Sequence, residues 1–260
     1  MRQWSSSKIS FLKLSKIWTA TRSSTVSLSS LVKEPTILMR VVSIFSSFIT
    51  EMIIRKLLRI MCRPIQPLID MIEECDAVIF SIPCFQGHLP GIMKNFTDHM
   101  AFMLHRPRYF KKKALIISTT GGVSAQSTTK ALAATLPGWG FNKCYQLPIT
   151  ALSWNDYKPT EKDMRRTYDI TKRFYLDVKS GKAHVPGVGV LIPFNLFQAM
   201  CIDNKGEKEY PTEDNNFWPK YKGMRYAPGI PMTPFKRVIG WLIYQIGKKL
   251  SQTMVITYRK

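Results

Sequence analysis

Two short loops carry the residue types best suited to holding a ligand. The first, Pro83–Gly91, combines a flat aromatic ring at Phe85 with hydrogen-bonding side chains at Gln86 and His88. Such a set can hold an aromatic ring system by its apolar face and its polar edge. Cys84, in the same loop, is either a small buried filler or a nucleophile, and a nucleophile would need a nearby base that the sequence does not show.

The second loop is Thr119-Thr120-Gly121-Gly122. Its two glycines leave backbone amides accessible because no Cβ stands in the way, and its two hydroxyls add donors and acceptors. This composition suits the polar edge of a planar ligand, or an anion. The alternative interpretation is a tight turn from a strand into a helix, without a ligand.

Both loops follow apolar runs that are typical of buried strands. Ala77–Ser81 precedes the first loop and Ala114–Ser118 precedes the second, and helical patterns follow at about 92–104 and 124–136. Continuous apolar strands that alternate with helices predict a parallel sheet covered on both faces. In such sheets ligands bind beyond the carboxyl ends of the strands, where both loops lie. The sequence therefore predicts an α/β fold with its function at that edge.

The remaining segments are assigned by the same patterns. Strands are predicted at 37–45 and 144–149, helices at 46–60, 64–74, 158–180, 193–201 and 235–251, a turn at Trp139-Gly140-Phe141, a linker at 181–189, and an irregular arm at 204–234. The predicted organisation is a basic, Ser-rich, poorly ordered leader at 1–36, an α/β domain at 37–180, and a C-terminal arm with a basic amphipathic helix at 181–260.

The amino-acid composition limits which binding partners and which cellular compartment are expected. The net charge of +21 favours anions such as a nucleotide cofactor, anionic lipid or nucleic acid. No nucleic-acid recognition motif is present, so no nucleic-acid partner is expected. The five Cys residues show no C-x-x-C pair and no His–Cys metal spacing, which predicts reduced thiols, no metal site and a cytoplasmic protein.

The N-terminal part permits two interpretations. The first 33 residues contain six Lys or Arg and no acid, a composition similar to that of a transit peptide. The alternative is a basic leader that packs poorly. No run reaches the roughly 20 apolar residues of a transmembrane helix, and Ile37–Ile54 comes nearest.

The ordered series of motifs resembles the flavodoxin-like family of NAD(P)H-dependent FMN reductases and iron–sulfur flavoproteins. Asp76–Phe85 with Gly87 is similar to that family's strand and Ser-Pro-x-Tyr-x-Gly loop, and Gly91–Asp98 is similar to its Gly-x-x-Lys-x-Phe-x-Asp helix. Lys113–Gly122 and Trp139–Phe141 are similar too. The resemblance extends over about 64–181.

The resemblance implies a three-layer α/β/α flavodoxin-like parallel sheet, FMN as cofactor and NAD(P)H as co-substrate. It implies that FMN is lined on one side of its ring by Pro83, Cys84, Phe85, Gln86 and Gly87, and at its pyrimidine edge by Thr119, Thr120, Gly121 and Gly122. No catalytic side chain is required, because the flavin supplies the hydride chemistry. A dimer or higher oligomer, and a small-molecule or protein electron acceptor, are implied as well.

The sequence also departs from the family pattern. The family's phosphate-binding loop is not recognisable in residues 1–62, where Val42–Ser47 is a weak substitute, and the Cys cluster of the iron–sulfur branch is missing. We therefore expect no iron–sulfur cluster. One hypothesis is that residues 1 to about 63 do not belong to the ancestral reading frame, which would weaken FMN binding through lost phosphate contacts.

The leading functional hypothesis is an FMN-dependent NAD(P)H oxidoreductase. The alternatives are a non-enzymatic electron-carrier flavoprotein, a degenerate member that binds flavin weakly, and a membrane-associated basic protein. The amphipathic helix at 235–251 bears on the last of these, since it either packs on the domain or a dimer partner or lies on an anionic membrane surface.

Overall fold

A computed structural model describes residues 9–11, 65–152, 157–203 and 213–253. The strands are β1 (Ile9–Phe11), β2 (Ala77–Pro83), β3 (Lys113–Thr120) and β4 (Lys143–Thr150). The helices are α1 (Gln66–Glu74), α2 (Gly91–His99), α3 (Phe102–His105), α4 (Ala125–Thr135), α5 (Glu161–Ser180), α6 (Val188–Asp203), α7 (Glu213–Phe217) and α8 (Pro234–Thr253), with 3₁₀ turns at Leu136–Trp139 and Trp218–Tyr221.

These residues form two compact units. The first contains the described residues up to His99 together with Lys112–Leu136 and Lys143–Lys182. The second contains Met100–Lys111, Pro137–Asn142 and the described residues from Ala183 onward. The sheet lies in the first unit.

The sheet is parallel, with its four described strands in the order β1-β2-β3-β4. Ala77 pairs with Lys113 and Lys113 pairs with Lys143, so the three longer strands begin level. Pro83 pairs with Thr119, and Thr120 pairs with Thr150, so they also end level. The loops that leave their carboxyl ends are therefore neighbours.

Burial along the strands explains the layers. Ala77–Phe80 and Ala114–Ser118 are buried at every position, which requires cover on both faces of the sheet. On one face α5 contributes Ile170 and Phe174 to a core with alternate residues of the strands, namely Ala77, Ile79, Leu115, Ile117, Leu147 and Ile149. The predicted α/β architecture with a parallel sheet, consistent with a flavodoxin-like fold, is confirmed.

Helix α5 has strong boundaries. Its N-cap, Thr160, exchanges hydrogen bonds with Asp163 in a capping box, and Gly181 ends the helix at φ 63°. These signals agree with the predicted helix at 158–180.

A buried polar cluster ties α5 to the start of the sheet. Lys113 Nζ donates to the Asp177 carbonyl at 2.6 Å and lies 3.4 Å from the Asp177 carboxylate, with side chains only 3% and 10% exposed. Tyr145 donates its hydroxyl to the same carboxylate at 2.9 Å. Burial, aided by this bond and by the charge of Asp177, raises the pKa of Tyr145 to about 12.

The second unit is helical and has its own core. Six aromatic side chains pack largely edge to face in it: Phe110, Phe194, Phe217, Trp218, Tyr221 and Tyr226. Helix α8 packs along α6 through Gly240 and Gly247. On the buried side of α6, Gln198 donates to the Tyr221 carbonyl and Asn195 to the Arg225 carbonyl.

Several predicted boundaries are corrected. The single helix expected at 92–104 is two helices, α2 and α3, because the chain leaves helical geometry at Met100, whose side chain is fully buried. The short helix expected at 193–201 begins at Val188, inside the predicted linker, and contains Pro193 within its length. The arm expected to be irregular contains α7 and a 3₁₀ turn, anchored by Phe217 and Trp218.

The N-terminal expectations fall mostly outside the described residues, including the strand at 37–45 and the helix at 46–60. Within the predicted leader, Ile9–Phe11 pairs with Ala77–Ile79 as a strand, so the expectation of little regular structure is wrong for these three residues.

The described residues contain neither a membrane-spanning helix nor a cluster of metal ligands. None of their helices contains an apolar stretch long enough to cross a bilayer. Nor do they contain a group of three or more His, Cys, Asp or Glu residues placed to hold a metal ion.

Candidate functional site

The two candidate loops meet at the carboxyl rim of the sheet. Cys84 donates its amide to the Thr119 carbonyl at 2.8 Å, which extends the β2–β3 ladder by one bond. Ser127, in the first turn of α4, donates its hydroxyl to the Gly87 carbonyl at 2.8 Å. Of the nine predicted cofactor-binding residues, three end the neighbouring strands β2 and β3, namely Pro83, Thr119 and Thr120, and the other six lie in the loops that follow these strands.

The first loop is a two-residue hairpin. Phe85 and His88 exchange backbone hydrogen bonds, at 2.9 and 3.3 Å, around Gln86 and Gly87. Both central residues have positive φ, 51° and 77°, as a type I′ turn requires. Strand β2 extends two residues beyond the predicted end at Ser81, since it includes Pro83, and pairing continues to the Cys84 amide.

This hairpin presents the Phe85 ring at the rim with 45% of the residue exposed. The Cys84 thiol lies 3.9 Å from the Val123 carbonyl of the second loop. Cys84 is partly exposed, and its thiol lies between the two loops.

The second loop is held by Thr120. Its hydroxyl accepts the Gly122 amide at 3.2 Å and lies 3.3 Å from the Val123 carbonyl, to which it donates. A Cβ added at Gly122 would meet nothing within 4 Å, and one added at Gly121 would meet only the Ala151 carbonyl, at 3.8 Å. Neither glycine has positive φ. They keep the surface open rather than permit an unusual backbone, and the left-handed residue is instead Ser124, at φ 78°.

The end of β4 completes this rim, and sequence reasoning did not include it. Ala151 donates its amide to the Thr120 carbonyl at 2.7 Å, which places Leu152 beside the second loop. Leu152 is 79% exposed and Val123 is 81% exposed. Together with Phe85, three consecutive strand ends each present an exposed apolar side chain. The strand predicted at 144–149 could have indicated this part of the rim, because its carboxyl end must lie at the same edge of a parallel sheet as the ends of its neighbours.

The rim also offers hydrogen-bond donors. In the part of the chain that the structure describes, the amides of Gln86, Gly87 and Gly121 donate to no protein acceptor. Helix α4 begins at Ala125, directly after the second loop, so its positive dipole end lies at the same rim. Open space, apolar side chains and unused donors together fit a planar ligand with a polar, electron-rich edge.

These features define the class of protein. A parallel sheet covered on both faces, with two open loops side by side at its carboxyl edge, is a flavodoxin-like α/β architecture. Residues 41–153 match the family described as NADPH-dependent FMN reductase. The resemblance to flavodoxin-like FMN reductases is therefore confirmed, and the matched segment contains both loops.

The matched range also revises the N-terminal hypothesis. Because it begins at residue 41, a foreign reading frame is not supported for 41–63, which includes Val42–Ser47. No curated protein matches the chain.

Proposed function

We propose that this protein binds FMN at the carboxyl rim of its sheet and acts as an NAD(P)H-dependent FMN oxidoreductase. The observation that carries the proposal is the pair of loops, Pro83–Gly91 and Thr119–Gly122, which the bond from the Cys84 amide to the Thr119 carbonyl joins inside the segment that matches the FMN reductase family. The family match supports oxidoreductase chemistry with FMN and NADPH. The residues that hold the cofactor are our proposal.

The first loop would hold one side of the flavin ring. Pro83, Cys84 and Phe85 supply apolar surface, and the hairpin backbone of Gln86 and Gly87 supplies amides. The second loop would bind the pyrimidine edge. Here Thr119 offers a hydroxyl, Thr120 holds the loop in shape, and Gly121 and Gly122 give close access to the backbone.

The electrostatics at the rim favour a reduced flavin. Bound FMN would take up a hydride from NAD(P)H and pass the electrons to an acceptor, a small molecule or a protein. The loop amides and the N-terminus of α4 would stabilise negative charge at the pyrimidine edge. The chain's own task is to position the ring and to set this field, and no acid or base side chain is assigned a step.

Anaerobic spectroscopy tests this function. The purified protein is incubated with FMN, freed of excess cofactor and mixed with NADPH or NADH. We expect a yellow protein whose flavin absorbance bleaches on addition of a nicotinamide and returns when an acceptor is added. A protein that cannot be made yellow contradicts the proposal and leaves a degenerate member.

The electron-carrier alternative gives a different result in the same experiment. A carrier would be yellow and would bleach with a chemical reductant such as dithionite, but not with NADPH or NADH. The family match favours the enzyme over the carrier.

A further inference from the structure

Helix α8 exposes large apolar side chains along its length. Phe235 is 72% exposed and Trp241 is 51% exposed. The large apolar side chains exposed by at least 48% on this helix are Phe235, Val238, Trp241, Leu242, Ile246 and Leu250, which we call the α8 stripe. At 100° per residue the six positions cover about half of the helix circumference. Contiguous apolar patches of this kind mark interaction sites in otherwise soluble folds.

The packing of the opposite face of α8 explains why the α8 stripe remains exposed to solvent. Gly240, Gly247 and Ser251 are buried. A Cβ added at Gly247 would lie 2.9 Å from the Ala199 Cβ, and one at Gly240 would lie 3.1 Å from the Arg225 Cβ. The small residues allow the backbone of α8 to approach this closely. Rotation of the helix to bury the stripe would place large side chains where only glycine fits.

This arrangement reverses the usual amphipathic pattern, in which large apolar residues face the core. The fully buried positions hold glycine and serine, Ile243 packs on the core from a partly buried position, and six large apolar side chains face outward. Lys236 fixes the helix start, since its Nζ donates to the Pro186 carbonyl. The stripe is therefore a fixed feature of the folded unit.

The charges on α8 are of one sign. The sequence 234–253 contains four Lys or Arg and no Asp or Glu. Arg237 and Lys248 are exposed along one border of the stripe, and Lys249 is exposed within it near the carboxyl end. A lysine in that position can bury its aliphatic stem with the stripe while its ammonium group reaches outward to a polar surface.

A second copy of the chain fits this surface poorly. Antiparallel pairing of two stripes would bring Arg237 of one helix toward Lys248 and Lys249 of the other, and parallel pairing would bring each cation to its own equivalent. Neither arrangement supplies an acid. Like charges across an interface oppose association.

We propose that the α8 stripe docks on the surface of an anionic lipid bilayer. The helix would lie in the plane of the interface, with its apolar side chains at the boundary between headgroups and acyl chains. Arg237, Lys248 and Lys249 would contact the anionic headgroups, each strengthening binding about fivefold. This inference is independent of the proposed flavin site.

Vesicle flotation of the full chain tests this proposal. The probes are phosphatidylcholine vesicles and vesicles containing roughly one third phosphatidylserine. We expect binding to the anionic vesicles to be on the order of 100-fold stronger, from three cations, and to weaken as salt is raised. The Trp241 indole should enter the interface, so brominated lipids should quench tryptophan fluorescence in the native protein and less in Trp241→Phe.

Matched variants distinguish binding through the α8 stripe from non-specific hydrophobic or electrostatic adsorption. Leu242→Ser is compared with Leu176→Ser, since these leucines are 49% and 50% exposed and each lies on a 20-residue helix. We expect only Leu242→Ser to reduce binding, by several-fold. The triple change Arg237→Gln, Lys248→Gln and Lys249→Gln should abolish the preference for anionic vesicles. The control that removes the same charge from exposed positions is Lys130→Gln, Lys162→Gln and Arg166→Gln.

Two results would overturn the proposal. One is the absence of flotation with anionic vesicles while Leu242→Ser dissociates an oligomer in sedimentation analysis, which would assign the stripe to a second copy. The other is flotation that the Leu176→Ser and Lys130/Lys162/Arg166 controls reduce as much as the α8 variants do. Circular dichroism of every variant verifies that the helices remain folded.

Discussion

At the scale of single residues, the cluster of Lys113, Asp177 and Tyr145 should be the most sensitive part of the first unit. Asp177→Ala leaves Lys113 buried without its carboxylate, so we expect a loss of about 3–5 kcal/mol in the free energy of unfolding. Urea denaturation measures it. Asp169→Ala, an exposed change on the same helix, should alter stability by less than about 0.5 kcal/mol. Equal losses in the two variants would contradict a particular contribution of this cluster to the stability of the first unit.

The same cluster predicts a pH dependence. The folded state holds the Tyr145 proton more tightly than the unfolded state does, because its pKa is raised from 10.0 to about 12. The stabilisation from Tyr145 is therefore fully present below about pH 10 and is lost as the pH rises toward 12. Between about pH 10 and 12 the free energy of unfolding should therefore fall less in Tyr145→Phe than in the native protein. Urea denaturation at a series of pH values measures this difference. Parallel curves for the two proteins would contradict this assignment.

The hairpin residue Gln86 is strained in a way that permits a prediction. It has a positive φ, which Asn tolerates better than Gln and which a β-branched residue tolerates worst. Gln86→Asn should raise the midpoint of thermal unfolding, and Gln86→Val should lower stability by about 1–2 kcal/mol. Neutral effects of both substitutions would contradict a left-handed conformation at Gln86.

At the scale of elements, two glycines make a matched test of α6–α8 packing. Gly247→Ala should cost about 1–2 kcal/mol, because the added Cβ would lie 2.9 Å from the Ala199 Cβ. Gly189→Ala, in α6, meets nothing within 4 Å and should be neutral or stabilise by up to about 1 kcal/mol through helix propensity. Chemical denaturation of both variants decides this, and a neutral Gly247→Ala would contradict the close approach of the two helices.

Elements with strong local signals were predictable from the sequence. Ala114–Ser118 and Ala77–Ser81 are apolar runs that only a covered parallel sheet can bury, and both are strands. Helix α5 has a capping residue and a terminal glycine, and its predicted limits agree closely with the structure. The break between α2 and α3 was not predictable, because no Gly or Pro lies there.

The candidate site was predictable only in its location. The register of a parallel sheet brings successive carboxyl ends together, so two loops on one rim followed from the strand pattern alone. The hairpin at Gln86-Gly87, the left-handed Ser124 and the bond from Ser127 to the Gly87 carbonyl depend on contacts between the loops. No local pattern in the sequence specifies such contacts.

At the scale of the whole molecule, the described residues form two compact units. Met100–Lys111 and Pro137–Asn142 belong with the C-terminal helices, although both lie between segments of the sheet. The two segments also pack backbone to backbone against each other, since a Cβ added at Gly140 would lie 2.8 Å from the Tyr109 amide nitrogen. Sequence periodicity describes individual elements, so it does not report such long-range assembly.

The central claim is that the open rim between the two loops holds the flavin ring, and Gly122 tests it most directly. A Cβ added at Gly122 meets nothing within 4 Å, so Gly122→Val should fill the space beside the second loop. A Cβ added at Gly187, in the second unit, is equally free, so Gly187→Val is the matched control. FMN titration followed by flavin fluorescence should show affinity at least about tenfold weaker in Gly122→Val and unchanged in Gly187→Val. Equal affinities for the native protein and Gly122→Val, with both folded, would contradict the assignment of this rim to FMN.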